Sequence, residues 1–340
     1  GSAVLRMVNN YLGTETFKKG INAYLRKYKY GNARTSDLWK SLGDASNQNV
    51  GAIMSSWTTQ MGYPVVFYNS TDMTLTQRRF LNNPSDYDIF KDNKNQLVKS
   101  DDNLLWNIPL TYATSGSSQP VLELLKPIQV QKLNLSNKPS WIKFNVKENG
   151  YYRVNYDNVT WQSLRQQIFK DSKSFTSAGR SQLIDDSFNL AAAQLLDNEI
   201  PLSLLKYLVN ESQCVPWYSA ASNLNYIDQM LRTADNSTYS LLSRFVENFS
   251  GKKLQSLGWN DTLDRNNEKR LTQAVIILAC KYGNSVRQEN RRFLSNLVNT
   301  IRTQGFHQTS CLLITQFATK VLWQRNLLED VWKTLPHRSF

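Results

Sequence analysis

Histidine is almost missing from this chain: 340 residues hold two, His307 and His337, 30 positions apart. HExxH is absent, as is any other pair with zinc-ligand spacing. A Ser-His-Asp or Cys-His site would have to use one of these two residues. Cys311 lies four positions after His307, on the same face if the segment is helical. A cysteine nucleophile needs an electropositive, accessible niche, and the sequence favours a structural role for both residues. Cysteine is scarce too. Cys214, Cys280 and Cys311 form no CxxC, which leaves open one disulfide with a spare thiol or three buried thiols. Neither GxGxxG nor GxxxxGK[ST] occurs, so nucleotide binding has no support. No run of 18 apolar residues exists, so the chain holds no membrane-spanning helix. The N-terminus, GSAVLRMVNNYLG, lacks the basic start and unbroken apolar stretch of a signal peptide. Helical spacing begins at once there, as if the chain started inside a domain.

What is present is a globular composition, with 41% hydrophobic residues, 9 Trp and 16 Tyr. At this length two or three domains are expected. The net charge of +13 raises the question of a nucleic-acid partner. The basic residues are scattered, however, and the pairs at 18–19, 78–79, 252–253 and 291–292 never lengthen. A solvated surface is the expectation, and no nucleic acid.

The periodicity divides the chain in three. Residues 2–61 read as four helices. Ala3, Val4, Met7, Val8, Tyr11 and Leu12 share one face, and Gly13 closes that helix. Thr14 is placed to cap the second, which carries Phe17, Ile21, Tyr24, Leu25 and Tyr28. Thr35-Ser36-Asp37 opens the third, and Val50 to Met61 forms the fourth, stopped by Gly62 and Pro64. From Pro64 to Tyr156 short β-branched and aromatic runs alternate with turn clusters such as NNPSD and TSGSSQP. Ile142, Phe144 and Val146 alternate with Lys143, Asn145 and Lys147, as a half-buried strand does. An antiparallel β-sandwich of about 90 residues is expected. From Asn158 the helical period returns, with helices expected at 159–170, 179–196, 201–210, 216–233, 237–250 and 267–282. Short loops between them fit an α-solenoid. The expected fold is therefore multidomain α+β, with domains 1–62, 63–157 and 158–340.

Asp185-Asp186, in RSQLIDDSFNLA, is a paired carboxylate of the kind general acid–base chemistry uses. Neighbours on a helix diverge by about 100°, so a buried ion pair between helices, with Arg180 nearby, is the expectation. The tyrosines of GYYRVNY split between two faces of a strand, as core and rim. Sequons fall at Asn69, Asn134, Asn158, Asn210, Asn236, Asn248 and Asn260. They permit a glycosylated secretory protein without requiring one.

Taken in order, several segments resemble one family. These are GSAVLRMVNNYLG followed by F-x-x-G-x-x-x-Y, then YGNARTSDLW, W-x-x-Q-MGYPVV, GYYRVNYD with Trp161, RSQLIDDSFNLA and YLVNESQCVPW. They are similar to the later half of zinc-dependent gluzincin aminopeptidases of the membrane alanyl (aminopeptidase N) type, over about residues 1–285. The resemblance implies the helical end of a thermolysin-like catalytic domain, then a sandwich, then a helical array of HEAT or armadillo type. It implies a parent enzyme that removes N-terminal residues from peptides with zinc held by HExxH and a downstream Glu. A GxMEN loop binds the substrate's amino terminus in that family. All these elements would precede Gly1, so this chain carries no catalytic residue, binds no zinc itself and is expected to be inactive alone. Peptides are the implied substrates of the whole enzyme, and a homodimer is left open. The implied location is the extracellular face of the plasma membrane or the secretory pathway, the alternative being the cytoplasm. One departure stands out: the family's secreted members carry a second Cys seven residues after the Cys280 position, where this chain has Arg287. Segment 286–340 does not resemble the family's continuation. The competing reading is a non-catalytic homologue or isoform that binds a peptide or protein on its scaffold.

Overall fold

The computed structural model describes residues 1–83, 104–117, 119–135, 137–258 and 266–283, with the backbone of 90–91 and 97–98. His307, His337, Cys311, Asn260 and segment 286–340 lie outside the described residues. The chain divides into two compact units, 1–227 and 228–340.

The first unit begins with four helices: α1 (Ser2–Leu12), α2 (Thr14–Lys27), α3 (Thr35–Ser46) and α4 (Val50–Thr59). Gly13, at φ 80°, ends α1 and serves as the N-cap of α2. Thr14, expected to cap α2, is instead its first helical residue, and no side chain caps that helix. Asp37 accepts the Arg34 N–H at 2.8 Å at the head of α3. Asn49 caps α4 through the Ala52 N–H at 3.1 Å. The core here is Met7, Val8, Trp39, Leu42, Val50, Ile53, Met54 and Trp57. The expected face of α2 is only half-buried, and Leu25 is 62% exposed. Periodicity finds the apolar stripe, but α3 and α1 cover just part of it.

The middle of the chain forms two principal sheets among the described residues. In the first, β1 (Pro64–Asn69) lies between β2 (Thr74–Arg79) and β9 (Arg153–Tyr156), and β7 (Val130–Lys132) adds to β2. In the second, β5 (Ile108–Thr114) lies between β6 (Val121–Leu125) and β8 (Ile142–Phe144). A two-stranded ladder joins β3 (Phe90–Lys91) to β4 (Leu97–Val98). The expectation of a wholly antiparallel region fails at β9, which runs parallel to β1 with Val66 opposite Val154. A parallel partner needs a long crossover, and the whole second sheet supplies it. β6 was not expected either: VLELL does not alternate, and Val121 and Leu122 stay exposed at 38% and 43%. Phe144 sits between the rings of Tyr68, Tyr112 and Tyr156, at 5.1, 5.8 and 6.0 Å.

The QMGYP segment is the seam between these two parts. Trp57 donates its indole N–H to the Asn107 carbonyl at 2.7 Å, and Gln60 donates to the Leu105 carbonyl at 3.1 Å. Gly62 turns the chain at φ 86°, where a Cβ would lie 3.1 Å from the Arg79 stem. A side chain there would meet both steric and backbone strain.

Helices follow the sheets: α5 (Asn158–Lys170), α6 (Ser177–Ala192), α7 (Glu199–Leu205, continued as a 3-10 turn to Asn210) and α8 (Cys214–Ala234). Asp157 caps α5 through Thr160 N–H at 2.8 Å and ties it to β1 through Ser70 N–H at 2.6 Å. α6 ends at Ala192, four residues before the expected end, where Gln194 takes φ 56°. It is buried on most sides, Leu183, Asp186 and Leu190 included.

The second unit begins at Asp228, near the end of α8, and contains α9 (Asn236–Leu257) and α10 (Asn266–Tyr282). Asp228 binds Lys281 at 2.9 Å and Arg232 at 3.1 Å, which fastens α10 to the end of α8. Among the described residues no helix is long and apolar enough to cross a membrane.

Candidate functional site: the charged junction beside β9

Strand β9 is an edge of its sheet, and α6 covers that edge. The Asp186 carboxylate accepts the Val154 N–H at 3.1 Å, so an edge amide is satisfied by a helix side chain. The same carboxylate accepts from Arg153 Nη1 at 2.9 Å and Gln182 Nε2 at 2.9 Å. Asp185 takes a second bond from Arg153 Nη1, at 2.7 Å. The two carboxylates diverge on the helix, as expected, yet they converge on one guanidinium because it arrives end-on from a strand. Arg153 also donates to the Tyr63 hydroxyl at 3.3 Å and lies 5.0 Å above the Phe80 ring. Tyr63 belongs to the seam, so one arginine links seam, sheet and helix.

The buried ion pair expected between helices is instead made from α6 to a strand, with Arg153 of β9 as the partner of Asp185 and Asp186. Arg180 turns to Glu211, in a fork of 2.6 and 2.7 Å, because it leaves α6 on another side. Glu211 is 1% exposed and also accepts from Tyr207 OH, Ser212 N and Gln213 N. This second pair closes the 3-10 turn after α7 onto α6.

Lys143 is the largest departure from expectation. Strand alternation placed it and Asn145 on the solvated face of β8; both are 1% exposed. The reason is α6, whose Gly179 approaches so closely that a Cβ would lie 3.1 Å from Lys143 Cε and 2.8 Å from the Val146 carbonyl. The amine donates to the carbonyls of Phe144 (3.0 Å) and Asn145 (3.3 Å) and to Gln182 Oε1 (2.6 Å). Burial pushes it down to about 7, against the pull of Asp186 and Glu148. Arg153 behaves oppositely: burial is outweighed by Asp186 and Asp185, which hold its pKa above the ordinary value. Burial pushes the Asp186 carboxyl up, against the pull of Arg153.

This junction is built for cohesion. Both carboxylates are occupied by donors, and no substrate-sized space separates them from Arg153. Among the described residues no three His, Cys, Asp or Glu side chains gather where a metal ion could sit. These residues therefore do not fit a zinc site. The sequon asparagines Asn69, Asn134, Asn158, Asn210, Asn236 and Asn248 are all exposed. Tyr152 and Tyr156 are core and Tyr151 is rim, as the GYYRVNY pattern predicts. Cys214 is a buried thiol, and Cys280 is half-buried on α10. Lys143, Arg153, Gln182 and Glu211 were not singled out from sequence. A charged residue inside an otherwise aromatic strand, as in GYYRVNY, was the available signal.

Comparison with known proteins adds a second line. A family model described as the ERAP1-like C-terminal domain matches residues 141–318, and one described as the Peptidase family M1 domain matches residues 1–57. The first runs on to 318, past residue 285 where the motif resemblance stops. Human glutamyl aminopeptidase is 38% identical over 285 residues, covering 83% of this chain and 29% of its own. Its Rattus norvegicus counterpart is 37% identical over 284 residues, again covering 83% and 29%. Human thyrotropin-releasing hormone-degrading ectoenzyme is 31% identical over 326 residues, covering 89% of this chain and 30% of its own. The chain thus spans less than a third of the length of these relatives.

Proposed function

The chain belongs to peptidase family M1, as the stretch from the end of the M1 domain through an ERAP1-like C-terminal domain, and from that premise we propose that it is the scaffold half of a zinc aminopeptidase. The parent removes N-terminal amino acids from peptides. Zinc is held by residues outside this chain. The observation that carries the reading is the match of two M1 segments in family order, residues 1–57 and 141–318.

In this reading 1–62 closes the catalytic domain, 63–157 is a β-sandwich and 158–340 is a helical array. The Arg153 junction bridges the second of these boundaries, from strand β9 and Tyr63 on one side to Asp185 and Asp186 of α6 on the other. What these residues do for the parent is positional. Arg153 ties Tyr63 of the seam to α6, and Asp186 covers the sheet edge, so α6 is held against the sheets. The relative named as an ectoenzyme supports an extracellular or secretory location. It makes the six exposed sequon asparagines acceptors for glycans.

The test has two arms. Extending the reading frame upstream of Gly1 should reveal HExxH and GxMEN. The longer protein should hydrolyse amino-acid anilides while the 340-residue chain does not. An upstream frame without those motifs, or a silent longer protein that captures a stable protein partner, would instead support the scaffold reading.

A further inference from the structure

We propose that α2 and the turn after it form a binding face for a sulfated polysaccharide. Six basic residues, Lys18, Lys19, Arg26, Lys27, Lys29 and Arg34, fall between positions 18 and 34 with no acidic residue among them. All six are exposed. The helix gathers what the sequence scatters. Gly20 fixes which side of α2 points inward: it is buried, and a Cβ there would lie 2.8 Å from Leu42 Cδ2 and 3.0 Å from Leu42 Cα. Lys18, Asn22 and Arg26, four positions apart, form the line opposite Gly20 at about 100° per residue, and Lys19 lies beside that line. Tyr30, at φ 59°, turns the chain after the helix. Lys29 and Arg34 carry the basic stretch on through this turn to the head of α3.

Helix stability accounts for only part of this charge. The dipole of α2 favours Arg26 and Lys27 in its last turn, but offers no such gain to Lys18 and Lys19 in its N-terminal half. Among the described residues, Glu15 is the one carboxylate within ion-pair distance of the six, at 3.1 Å from Lys18. Asp37, at the head of α3, feels Lys27 and Arg34 but is held by the Arg34 N–H at 2.8 Å. Burying such a face against protein would need a counter-charge for each cation. A flexible polyanion supplies those charges in a row and leaves the surface wet. Two details select which polyanion. The Lys27 amine lies 5.3 Å over the Tyr28 ring, and the Lys29 amine 4.7 Å over the Tyr30 ring. These ring faces already carry cations, so stacking a nucleic-acid base would displace one. Sulfate groups need only the cations. A lipid surface would need an apolar stripe beside the charges, and Leu25, 62% exposed, is the one large aliphatic side chain exposed on α2. The choice of a polysaccharide also rests on the extracellular reading above, since sulfated chains are the polyanions of that side of the membrane.

The test is heparin binding by the full chain, read as Kd at about 0.15 M salt. Two variants each lose three charges. One carries Lys19→Gln, Arg26→Gln and Lys29→Gln on the proposed face; the other carries Lys138→Gln, Lys170→Gln and Lys173→Gln at exposed positions elsewhere. The first should weaken binding about tenfold or more and lower the log–log salt slope by about 2–3. The second should stay within about twofold of the wild-type chain. Equal losses would show that the net charge of +13 alone draws heparin, and would overturn the proposal. So would desulfated heparin binding as tightly as heparin, or tighter binding to a short DNA duplex or to phosphatidylserine vesicles. The substituted side chains are all exposed, where changes cost little stability. Should the first variant still misfold, acetylation of the wild-type chain with and without heparin decides alone. Protection centred on Lys18, Lys19, Lys27 and Lys29 is expected, and even protection over all lysines overturns the proposal. The readout is the purified chain, so a negative result counts against this face alone. A parent enzyme retained inside the cell counts against the extracellular reading alone.

Discussion

Two buried ion pairs sit on α6, and they differ in what each residue carries. Arg180 and Glu211 are 5% and 1% exposed and form a two-point fork. Taking charge from one partner leaves the other buried and alone, which costs about 3–5 kcal/mol. Glu211→Gln should therefore lose about that much in urea unfolding, whereas the double change Arg180→Met, Glu211→Leu should recover most of it. Asp186 and Asp185 contrast in the same way. Asp186 is buried and serves three donors, so Asp186→Asn should cost about 3–5 kcal/mol. The Asp185 side chain is 37% exposed, so Asp185→Asn should stay within about 1 kcal/mol. Equal losses at the two positions would show that burial does not set the difference. The carboxylate pair was legible in sequence, but its partner was not. Helical period says which face a residue occupies. It does not say that Arg153, 32 residues earlier, arrives from a strand edge to meet that face.

At the scale of elements, breaks were the readable part, while the cap expected at Thr14 was not. Gly13 ends α1, and Gly62 and Pro64 separate α4 from β1, because glycine's backbone freedom and proline's missing N–H act locally. Alternation was less secure, since it reports one neighbour of a strand and β8 has two. Lys143 is the case in point: the strand pattern is right, and the covering helix decides the burial. The parallel pairing of β9 escaped for a related reason, because strand direction depends on a crossover far away in sequence. Asp157 shows an element joint built from one side chain. It caps α5 and also holds the Ser70 amide at the end of β1. Asp157→Ala should cost about 1–2 kcal/mol, the upper range for a cap. Thr176→Ala, which removes the Gly179 bond of α6 and a bond to the Val146 carbonyl, should cost about 1 kcal/mol. Thermal unfolding of both variants checks the order.

For the whole molecule, the question is what fastens the first 62 residues of this M1-family chain to the sheets that follow. The seam supplies an answer that can be weighed. Trp57 is 9% exposed, packs at 6.4 Å from the Trp106 ring and donates to the Asn107 carbonyl. Ser56 and Gln60, on either side of it, bond the same extended segment, at Asn107 N and Leu105 O. These contacts fasten residues 1–62 to the sheets, while Arg153 fastens the sheets to α6. Trp57→Ala removes a large ring from the first joint and leaves the Asn107 carbonyl without its donor. The loss should be about 3–5 kcal/mol. For a unit of this size that is a fall in Tm of about 2–4 °C per kcal/mol. Trp57→Phe keeps most of the ring and loses only the N–H, so it should lose no more than about 1–2 kcal/mol. Were Trp57→Ala to melt with the wild-type chain, the helical end of the M1 domain would be held to the sheets by something other than this seam.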